Sequence, residues 1–156
     1  MAVIEGLERI VGEHPFFANL DADFLDLVTG CAKNVRYDPG QHLFREGGDA
    51  DQFFLVRDGH VALEFATGRG SSVTFLTVGP GDAVGYSWIF PPYKWDYDTR
   101  AVEATRVVAL DAVCLRTKCD ANTALGYEVM KRAVPFIVER MKAARLQAMD
   151  VYGAAS

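Results

Sequence analysis

The sequence predicts an α+β chain, mainly β, in which a jelly-roll β-barrel lies between N-terminal helices and a long C-terminal helix. Three observations carry this reading. Apolar residues recur at helical spacing near the start. From residue 32 the pattern changes to short apolar runs at intervals of roughly 8 to 12 residues, separated by turn glycines. After residue 119 the helical period returns. One domain is expected, with helices over residues 1–31, a β-roll over 32–118 and helices over 119–152.

Residues 4–12 read as a first helix, broken by the Pro15 that follows His14. In a second helix Leu20, Phe24, Leu25, Leu27 and Val28 fall on one face, with Asp21 as N-cap and Gly30 as stop. Short apolar runs then flank the turn signal Asp38-Pro39-Gly40. The clearest hairpin pairs Phe53–Val56 with Val61–Phe65 across Asp58-Gly59, a dipeptide suited to a type I′ turn. A second hairpin turns at Gly68-Arg69-Gly70 into a strand over residues 72–78, and two further strands lie within residues 99–116, the later one centred on Val107 to Leu110.

Asp120 is placed to cap a helix carrying Ala124, Leu125, Tyr127, Val129 and Met130. The last helix begins at Phe136, after a Pro135 that kinks it or marks its first turn, and runs to about Tyr152. Ile137, Met141, Ala144, Ala148 and Val151 recur along it at spacings of four, three, four and three, an a/d seam. Either the seam packs on the chain's own barrel or it faces a second copy in a homodimer. The charges Lys131, Arg132, Arg140, Lys142 and Arg145, interleaved with Glu128 and Glu139, read as its solvated side.

Composition narrows the function classes. Half of the 156 residues are hydrophobic, about a quarter are charged, and the net charge is −5. That balance supports a packed core and argues against a nucleic-acid binder, which would carry a basic patch. Neither a signal peptide nor a membrane-spanning run is recognisable, so a cytoplasmic protein is expected. Cys31, Cys114 and Cys119 are an odd set without metal-ligand or redox spacing and read as ordinary thiols. His14, His42 and His60 are not paired as a jelly-roll metal site requires, and no nucleophile elbow, P-loop or zinc-protease motif occurs. The chain is not expected to be an enzyme or to hold a metal or cofactor. Only Gly153-Ala154-Ala155-Ser156 follow the last helix, so no helix-turn-helix output domain is expected.

An ordered set of short motifs narrows the fold further: Pro39-Gly40; Phe44-Arg45-Glu46-Gly47; Phe54-Leu55-Val56 with Gly59-His60-Val61; and Gly79-Pro80-Gly81-Asp82 followed by Gly85. At these spacings, between N-terminal helices and a long final helix, they resemble the cyclic nucleotide-binding domain family, over about residues 14–150. The resemblance implies an eight-strand jelly roll whose loop, here residues 79–100, is a phosphate-binding cassette with a short helix. In the family the amides at that helix's start hold the cyclic phosphate, a Glu binds the ribose hydroxyl and an Arg pairs with the phosphate. Here Tyr86 stands at the Glu position. Trp95 stands at the Arg position with Asp96 after it, and a slip of one residue puts Asp96 there instead.

Gly85, Tyr86, Ser87, Trp88, Lys94, Trp95, Asp96 and Tyr97 are therefore the candidate ligand-pocket residues. Either the rings fill the cavity themselves or they line an apolar pocket for a flat or hydrophobic ligand. Lys94 and Arg100 are the cations nearest the cassette. The reading is a stand-alone, non-enzymatic sensor or adaptor domain, homodimeric through residues 136–152, that signals to a partner protein and lacks the usual Glu and Arg for cyclic nucleotide. The alternative is a genuine cyclic nucleotide receptor with a non-standard pocket.

Overall fold

The computed structural model describes the backbone of residues 2–155 and the side chains of residues 6–150. Helix α1 (Ala2–Glu13) is followed by a single 3-10 turn, Pro15–Phe17, and by α2 (Ala22–Thr29). His14 caps the 3-10 turn: its Nδ1 accepts from the Phe16 amide at 3.1 Å, while its Nε2 lies 3.2 Å from the Val56 carbonyl. Asp21 does precede α2, but its side chain makes no cap hydrogen bond. Gly30 closes the helix with amide bonds to the Asp26 and Val28 carbonyls.

Seven strands follow: β1 (Ala32–Tyr37), β2 (Gln52–Asp58), β3 (Val61–Ala66), β4 (Ser72–Val78), β5 (Ala83–Val84), β6 (Asp98–Ala101) and β7 (Thr105–Asp111). They form two antiparallel sheets, ordered β1-β7-β2-β5 and β4-β3-β6. The expected count of eight is corrected to seven. The arm between β1 and β2 bonds irregularly along β6 instead, through Gly40 to Ala101, Gln41 to Ala101 and Phe44 to Thr99.

The hairpin expected across Asp58-Gly59 is also corrected. β2 pairs with β7 and β5, whereas β3 pairs with β4 and β6. Gly59, at φ +88°, carries the chain from one sheet to the other, where a Cβ would lie 2.5 Å from the Ala104 carbonyl. An Asp-Gly turn specifies a reversal but not the partner of the strand that leaves it. The apolar run supplies the missing signal. Phe53 to Val56 are buried without alternation, as befits a strand covered on both faces. The Gly68–Gly70 hairpin between β3 and β4 forms as read.

Helix α3 (Ala112–Ala121) begins inside the stretch assigned to the roll. Asp111 caps it, accepting from the Cys114 amide at 2.8 Å, and Asp120 lies within it. Asn122 takes the capping role expected of Asp120, its side chain accepting from the Leu125 amide. Helix α4 (Thr123–Ala155) is continuous, with Pro135 in its interior. Cys31 and Cys114 form a disulfide with Cα atoms 5.8 Å apart, leaving Cys119 free, which corrects the expectation of three ordinary thiols. The partners lie 83 positions apart, a pairing that spacing does not reveal. Among the described residues no helix is long and apolar enough to cross a membrane.

Candidate functional site

Loop 79–100 starts with a turn at Gly79–Asp82 in which the Asp82 carboxylate accepts from the Gly79 amide at 2.9 Å. β5 then pairs briefly with β2 and delivers Gly85 at φ +91°. A Cβ at Gly85 would sit 2.7 Å from the Trp95 ring, so the glycine serves both its backbone angle and the close approach of the indole. Residues 86–92 run through turns and bends, without the short helix that the resemblance implied. Beyond them the loop is bonded to the arm before β2: Gly47 to Trp95, Trp95 to Gly48 and Ala50 to Tyr93.

The rings of the loop divide between two environments. Trp95 stacks on Phe44 with centroids 3.8 Å apart and is buried. Trp88 is buried against Phe53, and Ser87 is buried as well. Tyr86 and Tyr97 instead line a mainly apolar cavity of about 260 Å³ between the roll and α4, together with Phe65, Phe75, Asp96 and Arg140. Neither expected outcome holds for the whole set: Trp95 belongs to the core, Trp88 is buried yet borders a separate cavity beside α3, and Tyr86 and Tyr97 border the cavity beneath α4.

Most polar groups of the cassette already have partners within the chain. The Tyr86 hydroxyl donates to Asp96 Oδ2 at 2.7 Å. Burial pushes the Tyr86 phenol well above its ordinary value, and the bond to the Asp96 carboxylate adds to this. Burial likewise raises Tyr97, whose hydroxyl has no hydrogen-bond partner. Lys94 pairs with Asp49 away from the cavity. Arg100 pairs at 3.1 Å with Glu64, a buried carboxylate that also accepts from Ser72.

The cation that does reach the cavity lies on α4. Arg140 is 8 % exposed, donates to the Ala83 carbonyl at 2.5 Å and lies 4.8 Å above the Phe136 ring. Its reading as part of a solvated helix face is corrected: helical periodicity placed it among charges, but the roll packs over it. Arg132 is corrected likewise, since its guanidinium donates to the Phe16 and Ala18 carbonyls across the fold. Of the apolar seam, Ile137, Met141 and Ala144 line the cavity, Ala148 is exposed, and the side chain of Val151 lies outside the described residues.

Residues 34–122, most of the roll and its cassette, match the profile of the cyclic nucleotide-binding domain. The chain belongs to this family. Cyclic nucleotide-binding domains are typically regulatory sensor units without catalysis, and a roll of two antiparallel sheets with a long final helix is the fold this chain shares with them. Over 115 residues the chain is 32 % identical to a cAMP-dependent protein kinase regulatory subunit of Eremothecium gossypii, covering 72 % of this chain and 24 % of that one. It is 24 % identical over 113 residues to an anaerobic regulatory protein of Bacillus subtilis, covering 72 % and 48 %. It thus spans about a quarter and about half of these two relatives. A crystal structure of a putative cyclic nucleotide-binding protein from Geobacter metallireducens superposes with a TM-score of 0.75 at 28 % identity, covering 90 % of this chain and 99 % of that one.

Proposed function

We propose that this cyclic nucleotide-binding domain is a stand-alone, non-enzymatic cytoplasmic sensor or adaptor that no longer recognises cyclic nucleotide by its sugar and phosphate. The observation that carries the reading is the Tyr86–Asp96 hydrogen bond. It joins two of the three cassette side chains that border the cavity, and the Asp96 carboxylate there opposes the charge of a cyclic phosphate. Lys94 and Arg100 are held elsewhere by Asp49 and Glu64. Loss of a charged contact inside a site costs about 2–5 kcal/mol, enough to move micromolar affinity towards millimolar.

Output runs through α4, which forms one wall of the cavity. A ligand moves that helix only by binding one of its positions more tightly than another. The exposed Met141, Leu146 and Met149 fit a homodimer through residues 136–152, with a partner protein reading the helix position.

Calorimetry with cyclic AMP and cyclic GMP is expected to show no binding tighter than about 1 mM, the range left after such a loss. Binding below about 100 µM would replace this reading by that of a true receptor with a non-standard pocket. The kinase regulatory subunit among the relatives is what favours that second reading.

A further inference from the structure

The cavity beneath α4 contains a charge that its apolar walls do not account for. Buried guanidinium groups are ordinarily paired with carboxylates, because an uncompensated charge in a poorly hydrated site is costly. Among the described residues no carboxylate lies within 4.0 Å of Arg140. Asp82 and Glu139 attract it only from farther away. One arm of the guanidinium is used on the Ala83 carbonyl, and Nε has no partner. The Tyr97 residue is 2 % exposed and its hydroxyl also has no partner; the Gly85 backbone faces it without forming a bond of good geometry. Two buried donors without partners thus border one space of about 260 Å³.

The remaining walls say what else the occupant must be. Phe65, Phe75, Ile137 and Ala144 offer only apolar surface, and the Tyr86 ring adds a flat face. Asp96 also borders the cavity, but it is exposed and already accepts from Tyr86. Its charge repels any anion close to it, so the occupant carries a single charge and holds it at Arg140, off Asp96. A guanidinium presents parallel N–H groups that fit the two oxygens of a carboxylate, and a phenol adds one more donor.

We infer that this cavity takes a small monocarboxylate with an aromatic or aliphatic body, its carboxylate held by Arg140 and Tyr97. The anion is then gripped from α4 and not from the cassette, so occupancy acts directly on the helix that carries the output. The inference rests on the proposed reading that the cassette's own anchors are absent.

A matched pair of probes tests it on the full chain: naphthoate, and naphthamide, its uncharged isostere. In calorimetry naphthoate is expected to bind at one site per chain, at least ~10-fold more tightly than the amide, the size of effect a charge-assisted hydrogen bond supports. Arg140→Met is expected to abolish that preference while leaving amide binding within about twofold. Tyr97→Phe is expected to weaken naphthoate by about 3- to 10-fold, the loss of one hydrogen bond. Circular dichroism reports whether each variant folds. If Arg140→Met does not, the wild-type probe pair and Tyr97→Phe still decide. Equal affinity for the two probes, a preference that survives Arg140→Met, or binding of neither probe to folded protein overturns the inference. Cyclic AMP run alongside separates the two ideas. Tight cyclic AMP binding overturns the proposed function, whereas inert cyclic AMP with inert naphthoate overturns this inference alone.

Discussion

Gly85 has no tolerance for a side chain. Its φ of +91° and a Cβ position 2.7 Å from the Trp95 ring act together, so Gly85→Ala must both strain the backbone and displace an indole stacked on Phe44. A loss of about 2–4 kcal/mol is expected, read from the urea midpoint. His14 is the second sensitive position. Burial lowers its proton affinity below the ordinary 6.5, although its bond to the Val56 carbonyl and the nearby Asp82 oppose the shift. The unfolded chain therefore takes up this proton first as pH falls. The contribution is fully present above about 6.5 and is lost below it, as pH drops towards the folded value. His14→Gln is expected to flatten that part of the stability–pH curve, measured by thermal melts between roughly pH 5 and 8.

At this same scale only part of the cassette reading carries into the structure: Tyr86, Asp96 and Tyr97 border the cavity beneath α4, whereas Ser87, Trp88, Lys94 and Trp95 do not. Tyr86 and Asp96 sit at positions fixed by flanking glycines and by the strand after them, and the structure brings their side chains together. Arg140 was not legible. Its burial depends on the roll closing over one face of α4, and helical spacing alone cannot tell a cavity-facing arginine from a solvated one.

At the scale of elements, local signals located each turn but not the layer to which the chain went next. The Asp58-Gly59 turn and the Gly68–Gly70 turn look equivalent as text. One crosses between sheets and the other closes a hairpin, because β7 and β5 already flank β2. The onset of α3 was hidden in the same way, since AVCLR has the apolar content of a strand and is turned into helix by the Asp111 cap. The Cys31–Cys114 bridge fastens that helix to the start of β1. Closing a loop with its partners 83 positions apart is expected to contribute about 4 kcal/mol. Alkylation of unfolded, unreduced protein should label one thiol and, after reduction, three. Three labels before reduction would exclude the bridge.

At the scale of the whole molecule, the jelly roll and its flanking helices followed from the alternation of periods, while the proposed self-association depends on the exposed apolar residues of α4. Leu146 and Met149 are about 60 % exposed, and they are the test of self-association. Leu146→Glu with Met149→Glu is expected to convert a dimer to a monomer at tens of micromolar, on the order of the affinity such a patch supports. Sedimentation of the wild type as a monomer at high micromolar concentration would remove the dimer.

Pro135 offers no N–H to the turn before it, so α4 is softest there, just after Arg132 has tied the preceding turn to the Phe16 and Ala18 carbonyls. From that fulcrum Arg140 is about 8 Å along the axis and Ala155 about 30 Å. Were α4 to hinge at the proline, the segment beyond it would act as a lever with its short arm in the cavity, and a nudge of half an ångström at the arginine would swing Ala155 by about 2 Å.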